Sequence, residues 1–112
     1  MITHKSISDE RGTLYPLSLT EIPFEVKRVF FVTDVPLDSA RGGHAHITCL
    51  QYYLCIKGKI LIKCQSGQEQ YLRQGQGMFI DKNVFTTEYF SSTKDVLMVF
   101  CSHEYDPNDY IK

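Results

Sequence analysis

The sequence predicts an all-β fold, and three observations support this prediction. Phe, Tyr, Val and Ile are concentrated in several short runs, and these residue types favour strands. Residues that form turns separate the runs. No segment of ten or more residues carries a convincing stripe with a 3.6-residue period. Short strands at this spacing are typical of a β-sandwich or a β-barrel.

Six runs are assigned as strands in chain order, and each ends at a turn. We expect the strands at residues 26–33, 49–56, 59–64, 77–80, 85–90 and 96–101. The turns between them are expected at residues 36–39, 57–58, 66–67, 75–77, 81–83 and 91–93. After Cys101 the chain offers at most one short turn, around Pro107-Asn108-Asp109. Helix is therefore predicted to be minor.

Length and composition indicate one ordinary globular domain. The 112 residues include 43% hydrophobic and 22% charged residues, which predicts a single domain over residues 1–112. Twelve Lys and Arg against thirteen Asp and Glu give a net charge of −1, with no basic block, so nucleic acid is not an expected partner. No apolar run approaches the length of about 18 residues that a membrane span needs, and the N-terminus lacks the apolar stretch of a signal peptide. We expect a cytoplasmic protein with no membrane partner.

The four cysteines form no CxxC pair. A zinc knuckle or a disulfide framework is therefore weakly supported. We expect reduced thiols in the core, where free cysteine behaves as a small hydrophobic residue. The residues are Cys49, Cys55, Cys64 and Cys101.

One arginine lies among apolar neighbours on a predicted strand. In the run 26–33, Arg28 shares one face with Phe30 and Val32, because residues two apart point to the same side. A buried arginine needs a partner. It either forms an ion pair or reaches solvent at a sheet edge, or it points into a cavity that receives an anionic ligand.

The segment 41–46 reads Arg-Gly-Gly-His-Ala-His, and it is the most informative one for chemistry. On a strand His44 and His46 point to the same face, which suits either a metal or an acid/base pair. Gln51 follows after four residues, and Gly58 after six more. This spacing resembles the first motif of the cupin superfamily, in which a metal-binding carboxylate usually stands at the position of Gln51.

A histidine of the second cupin motif is expected a few residues beyond Gly77, and this sequence has none there. Two histidines and an amide make a poor cage for a transition metal. We therefore predict a site without metal. The alternative is a metal-dependent cupin, with the metal bound by His44, His46, Gln51 and Glu88.

Four sequence blocks carry a narrower resemblance that covers nearly the whole chain. They begin at Asp9, Ile22, Arg41 and Tyr105, and they read DxRGxL, IPFxVKRV, RGxHAH and YDxxDYIK. In this order and spacing they resemble the sugar 3,4-ketoisomerases, which are small WxcM-like cupins. The resemblance implies a cupin jelly roll, that is, a double-stranded β-helix. It also implies a homodimer, often with exchanged N-terminal strands.

The resemblance also implies an activity that needs no cofactor. The family acts on dTDP-4-keto-6-deoxyglucose and moves the ketone from C4 to C3, on the route to dTDP-linked 3-amino-3,6-dideoxyhexoses of surface polysaccharides. A neutral imidazole, with an ordinary pKa of about 6.5, is able to remove the C3 hydrogen that the C4 ketone acidifies. We assign His46 as the main base and proton shuttle and His44 as its partner, although the two roles are interchangeable at this level.

Further residues are assigned to substrate binding on the same basis. Arg28 and Arg41, with Arg11 as a third candidate, are expected to stabilise the enediolate or to bind the diphosphate. Gln51 is expected to bind a sugar hydroxyl, which requires a bulge or turn between it and the histidines because strict alternation puts it on the other face. Three aromatic residues are candidates for stacking on thymine: Phe30, Tyr53 and Phe90. For Asp9-Glu10-Arg11-Gly12 the simpler interpretation is a polar turn.

The C-terminal residues Tyr105, Asp109 and Tyr110 are expected to tie the chain end to the barrel, and we assign them no catalytic role. Where the family often reads KRVYYI, this chain has phenylalanine at positions 30 and 31. Where it often reads WHEM, this chain has Phe85-Thr86-Thr87-Glu88. Glu88 either pairs with a charged residue of the site or faces solvent. The departures keep two rival functions open: a sugar-nucleotide epimerase and a non-catalytic sugar-nucleotide-binding cupin.

Overall fold

The computed structural model describes residues 1–111, which form twelve strands and one turn of 3-10 helix at Leu19–Glu21. The strands are β1 (Ile2–Thr3), β2 (Ile7–Asp9), β3 (Gly12–Leu14), β4 (Arg28–Val32), β5 (Ala40–His46), β6 (Gln51–Lys57), β7 (Lys59–Cys64), β8 (Glu69–Arg73), β9 (Gln76–Ile80), β10 (Thr86–Phe90), β11 (Val96–Cys101) and β12 (Tyr110–Ile111). The all-β prediction with little helix is confirmed. No helix among these residues has the length and apolar character needed to cross a membrane.

Ten of the strands form two five-stranded antiparallel sheets. The first sheet has the order β1-β9-β6-β11-β4, and the second has the order β12-β5-β10-β7-β8. The strands β2 and β3 form a separate hairpin. From β4 onward, successive strands along the chain alternate between the two sheets, except that β7 and β8 are neighbours in the second sheet.

The core lies between the two sheets, and strand alternation decides which residues enter it. On β6 and β11 the odd-numbered residues point inward, as Cys55 and Leu97 show. On β7 the even-numbered residues Ile60 and Ile62 meet them from the second sheet. All four cysteines are unpaired, as expected, and Cys64 is only partly buried while the other three are buried.

The outer face of the first sheet is also apolar. Ile22, Leu17 and Phe24, from the segment between β3 and β4, pack there against Tyr52 and Phe100. The 3-10 turn in this segment begins with a capping interaction. In it, the backbone N–H of Ser18 donates to Glu21 Oε2 at 2.7 Å. The segment between β3 and β4 does not cover Val29 and Phe31 of β4, and the Phe31 side chain is 65% exposed.

All six strands predicted from the sequence are present, with bounds that differ by at most two residues. The expected turn near Asn108 is also present, because the Asp109 N–H donates to the Asp106 carbonyl at 3.1 Å. β8 was not predicted, because only Leu72 among its five residues is buried. Its sequence therefore shows no clear apolar alternation.

Candidate active site

A cavity of about 250 Å³ opens between the two sheets, and nearly all of the candidate residues line it. The first sheet contributes Arg28, Phe30, Val32, Gln51, Tyr53, Leu97 and Val99. The second sheet contributes Arg41, Gly42, His44, His46, Glu88 and Tyr110. The cavity is thus mostly apolar on the first wall and mostly polar on the second.

A bulge in β5 brings Arg41 to the same face as the two histidines. Thr86 of β10 pairs with His44, and Thr87 pairs with Gly42, so Gly43 is the additional residue. Gly42 and Gly43 have φ values of +86° and +75°, which glycine adopts without the steric cost of a side chain. One extra residue inverts the alternation of a strand, and Arg41 consequently lines the cavity together with His44.

His46 is held by a carboxylate from the end of the described chain. Its Nδ1 lies 3.1 Å from Oδ2 of Asp109. Asp109 also accepts hydrogen bonds from the N–H and hydroxyl of Thr48, at 2.8 and 2.7 Å, and from the N–H of Cys49 at 3.2 Å. Burial alone would raise the pKa of Asp109, but these hydrogen bonds outweigh it and lower the pKa to about 2.

The ionised carboxylate fixes the tautomer of His46. A carboxylate accepts hydrogen bonds and cannot donate them, so Nδ1 of His46 carries the proton in this hydrogen bond. The lone pair of the neutral ring is then on Nε2. The arrangement is a histidine whose ring is oriented by a buried carboxylate, and the sequence analysis did not predict this contact for Asp109.

Tyr110 packs against both histidines. Its ring centroid lies 4.8 Å from that of His44 and 4.6 Å from that of His46. Tyr110 also pairs with His46 in the β12–β5 ladder. The C-terminal segment therefore does dock on the barrel, as predicted, but the surface on which it docks is the histidine pair.

Arg28 has no carboxylate partner within residues 1–111. Its guanidinium lies over the rings of Phe30 and Tyr105, at 4.9 and 5.4 Å from their centroids. The ion pair that sequence analysis left open is not formed with any acidic residue in this described part of the chain. Instead, the side chain lines the cavity with its charge unneutralised by an acid, an arrangement that suits an anionic ligand.

Gln51 and Tyr53 enter the cavity from the wall opposite the histidines. Residues 47–50 lead from β5 in the second sheet to β6 in the first, so the turn that Gln51 needed is present. The Tyr53 hydroxyl lies 3.0 Å from the Thr86 hydroxyl and bridges the two sheets. Phe90 is buried in the core and does not line the cavity. Only Phe30 and Tyr53 therefore remain as candidates for stacking.

Glu88 is buried in the second wall and does not face solvent. Its side chain is 6% exposed, and Oε2 has no hydrogen-bond partner among the described residues. Burial raises the pKa of Glu88 to about 7, while the hydroxyls of Thr86 and Tyr53 and the charge of Arg41 act in the opposite direction. Burial thus favours the protonated form of the Glu88 carboxyl relative to a carboxyl group in water.

Comparison with known proteins decides the family. The model of the family described as FdtA: WxcM-like, C-terminal matches residues 1–112. The chain belongs to this family. It is 32% identical to the TDP-4-oxo-6-deoxy-alpha-D-glucose-3,4-oxoisomerase of Aneurinibacillus thermoaerophilus, over 100% of this chain and 84% of that protein. The family resemblance predicted from the sequence is confirmed.

Solved structures of WxcM-like proteins superpose closely on this one. A 3,4-ketoisomerase from Helicobacter canadensis gives a TM-score of 0.88 at 33% identity, over 97% of this chain and 86% of that chain. The sugar 3,4-ketoisomerase QdtA from Thermoanaerobacterium thermosaccharolyticum, solved with TDP, gives 0.87 at 33% identity, over 98% and 84%. The named relatives of this WxcM-like protein are thus sugar 3,4-ketoisomerases, a class of isomerase.

A more distant match supports the fold alone. The RmlC epimerase from Mycobacterium tuberculosis gives a TM-score of 0.81 at 18% identity, over 97% of this chain and 65% of that chain. Together with the two packed antiparallel sheets, this match confirms the cupin jelly roll.

Arg11 lies apart from the cavity of this WxcM-like chain. It is on the β2–β3 hairpin, where its guanidinium pairs with Asp9 at 2.8 Å and its side chain is 85% exposed. Gly12 beside it has a φ of +125°, as a tight polar turn requires. Within one chain, this segment therefore forms the polar turn that the simpler interpretation predicts.

The part of the chain that the structure describes contains one group of metal-ligand atoms, and it differs from the set considered from the sequence. Ligand atoms of His46, Cys49 and Asp109 lie within 4.8 Å of one another. Glu88 is not part of this group. Asp109 already uses both of its oxygens to accept hydrogen bonds from His46, Thr48 and Cys49, so hydrogen bonding within the protein accounts for the proximity of these three residues.

Proposed function

We propose that the protein converts dTDP-4-keto-6-deoxy-D-glucose to its dTDP-3-keto-6-deoxyhexose isomer without a metal or a cofactor. The observation that supports this most strongly is the hydrogen bond from His46 to Asp109 at the wall of the cavity. It orients the His46 imidazole and, in the neutral ring, leaves the lone pair on Nε2. The names of the WxcM-like relatives supply the substrate class.

The reaction is a proton rearrangement with no net oxidation. The C4 ketone acidifies the C3 hydrogen, and Nε2 of His46 removes that proton to leave an enediolate. Return of a proton to C4, with loss of the O3 proton and gain of one on O4, gives the 3-ketone. Asp109 stabilises the imidazolium that forms in between, and His44 assists by orienting the sugar or by moving the hydroxyl proton between O3 and O4.

The remaining residues of the cavity suit the nucleotide and the developing charge. Arg28 and Arg41 reach the cavity from opposite sheets, and we assign them to the diphosphate and the enediolate. Gln51 is assigned to a sugar hydroxyl. Phe30 or Tyr53 is assigned to stacking on thymine.

We also propose that the active form is a homodimer with exchanged N-terminal strands. The outer face of the first sheet exposes Val29 and Phe31, and beside it an apolar groove of about 370 Å³ lies against residues 15–19. Such a surface is typical of an interface. Within the single chain β1 pairs with β9. Exchange would replace β1 by the partner's copy and would carry Arg11 toward the other subunit.

The setting we propose is the cytoplasm, in the supply of dTDP-3-amino-3,6-dideoxyhexoses for O-antigen or related surface polysaccharides. A 3-keto product is the form on which an aminotransferase places nitrogen at C3. The nucleotide-linked substrate is soluble, so the reaction needs no membrane.

The test is incubation with dTDP-4-keto-6-deoxyglucose in deuterium oxide, followed by NMR, with and without EDTA. We expect a 3-keto product that carries deuterium at C4, formed at the same rate with EDTA. A retained 4-ketone with deuterium at a flanking carbon would indicate an epimerase. Binding without exchange would indicate a non-catalytic protein, and loss of turnover with EDTA would indicate a metal-dependent one. The C4 configuration of the product distinguishes the quinovose-type from the fucose-type isomer.

A further inference from the structure

Glu88 is the carboxyl-bearing residue among those that line the cavity, and the proposed reaction gives it no role. It is a carboxyl group in the wall of a site for a dianionic ligand, and its Oε2 has no hydrogen-bond partner among residues 1–111. Leaving such an atom buried and unpaired costs folding free energy. A negative charge there also opposes both the diphosphate and the enediolate.

The position of the carboxyl group is fixed by its neighbours. In the ladders of the second sheet Glu88 lies between Arg41 of β5 and Ile62 of β7. A side chain at position 42 would overlap Oε2 of Glu88, so Gly42 provides the space that this oxygen occupies. The carboxyl group therefore occupies space that a side chain at position 42 would fill.

Arg41 connects Glu88 to the ligand. It is the residue opposite Glu88 in the β5–β10 ladder, and it lines the same cavity. In the unliganded protein the guanidinium favours the ionised carboxylate. An anion that engages Arg41 removes this support and adds a negative charge of its own, so the protonated carboxyl becomes the favoured form.

We infer that Glu88 takes up a proton when the nucleotide diphosphate binds, so that binding and protonation are coupled at this residue. The inference rests on the proposed function, because the ligand that engages Arg41 is the diphosphate. Protonation removes the negative charge of Glu88 from the polar wall before an enediolate forms there. Binding of the substrate thus makes the site less negative before the enediolate forms.

Other groups around Glu88 also titrate, and the test has to separate them. His44 is on β5, Tyr53 on β6 and Cys64 on β7, and each of these strands packs beside Glu88 or across the cavity from it. Arg28 and His46 face the same cavity. A comparison of the native protein with Glu88→Gln isolates the carboxyl group, because the amide is neutral at every pH and has nearly the same shape.

Titration calorimetry with dTDP in buffers of different ionisation enthalpy measures the proton uptake. At pH 7.5 we expect the native protein to take up at least about half a proton more per dTDP than Glu88→Gln does. Glu69→Gln, an exposed glutamate of the same sheet, should behave as the native protein. Equal uptake by the native protein and Glu88→Gln would overturn the inference. Failure of dTDP to bind at all would instead count against the proposed function.

A second measurement needs no variant. In native protein with ¹³C-labelled glutamate, the Glu88 carboxyl resonance should titrate at higher pH when dTDP is present. The affinity for dTDP should also fall about tenfold between pH 6.5 and pH 8.5. A Glu88 resonance whose titration does not respond to dTDP would overturn the inference even if Glu88→Gln failed to fold.

Discussion

Asp109 lies 63 residues after His46 in the sequence, and yet its Oδ2 is 3.1 Å from Nδ1 of His46. The carboxylate is buried and ionised, and the N–H groups of Thr48 and Cys49 hold it in place. In the proposed reaction Asp109 is a positioning residue, which acts through the tautomer and orientation of His46.

Replacement of Asp109 by asparagine should lower kcat by about 10²-fold or more with little change in KM. The amide of asparagine is able to donate to Nδ1 and to move the imidazole proton to Nε2, where the base is needed. The pH profile of kcat/KM should shift as well, because the imidazolium loses its counter-charge. Steady-state kinetics across pH measures both effects, and Asp38→Asn in an exposed loop is the control. A profile and kcat that match those of the native protein would contradict the assignment.

His46→Asn should lower turnover by about 10²-fold or more, because it removes the base while keeping a polar side chain of similar size. The affinity for dTDP should change only modestly. Calorimetry and single-turnover NMR together check this expectation. His103→Asn, at an exposed position outside the cavity, should keep most of the activity. An undiminished rate in His46→Asn would mean that another residue acts as the base.

Arg28→Ala should weaken dTDP binding by about 10- to 100-fold, since hydrogen bonds to charged groups contribute about 1.5–3 kcal/mol. Its melting temperature should stay close to that of the native protein, because Arg28 forms no ion pair within the described chain. Calorimetry with dTDP and a thermal melt distinguish the two effects. Arg73→Ala, at an exposed position of β8, is the matched control. A large loss of stability with unchanged affinity would assign Arg28 a structural role.

The stability of the protein should fall as Glu88 ionises. Its pKa in the folded protein, about 7, is above the ordinary value of 4.5, so its contribution to stability is fullest below pH 4.5 and is lost as pH rises through 7. Glu88→Gln should therefore be more stable than the native protein at pH 8.5, by up to about 3 kcal/mol. At pH 4.5 the difference should nearly vanish. Urea unfolding at the two pH values measures it, and a pH-independent difference would mean that Glu88 ionises normally in the folded protein.

Local pattern was sufficient to predict the strand that carries Arg28, because a strand in a two-layer fold alternates between core and surface. It was also sufficient to place Phe30 beside Arg28. The strand β5, which carries His44 and His46, was not among the six runs assigned as strands, and the sequence only indicated that the two histidines share a face if they lie on a strand. Strict alternation fails for Arg41. It would place Arg41 on the opposite face of the strand from the histidines, and the bulge at Gly43 brings them to the same face. In the sequence, the available signal for that bulge was the pair of neighbouring glycines, Gly42 and Gly43, which adopt positive φ in the structure.

Other features of the site depend on contacts between segments that are far apart in sequence. Nothing near Asp109 indicates that it contacts His46, since the contact arises from the pairing of β12 with β5. The burial of Glu88 likewise depends on the absence of a side chain at Gly42 on the neighbouring strand. Such relationships follow from strand order, which the sequence pattern alone does not determine.

The pairing of β12 with β5 also has a consequence during synthesis. At about 5–20 residues per second, the ribosome adds Asp109 roughly 3–13 s after His46. Throughout that interval β5 is an open edge, because its outer partner in the sheet does not yet exist. Unpaired edge strands recruit strands from other chains. The segment that carries both histidines is therefore open, during this interval, to pairing with neighbouring chains on the same polysome.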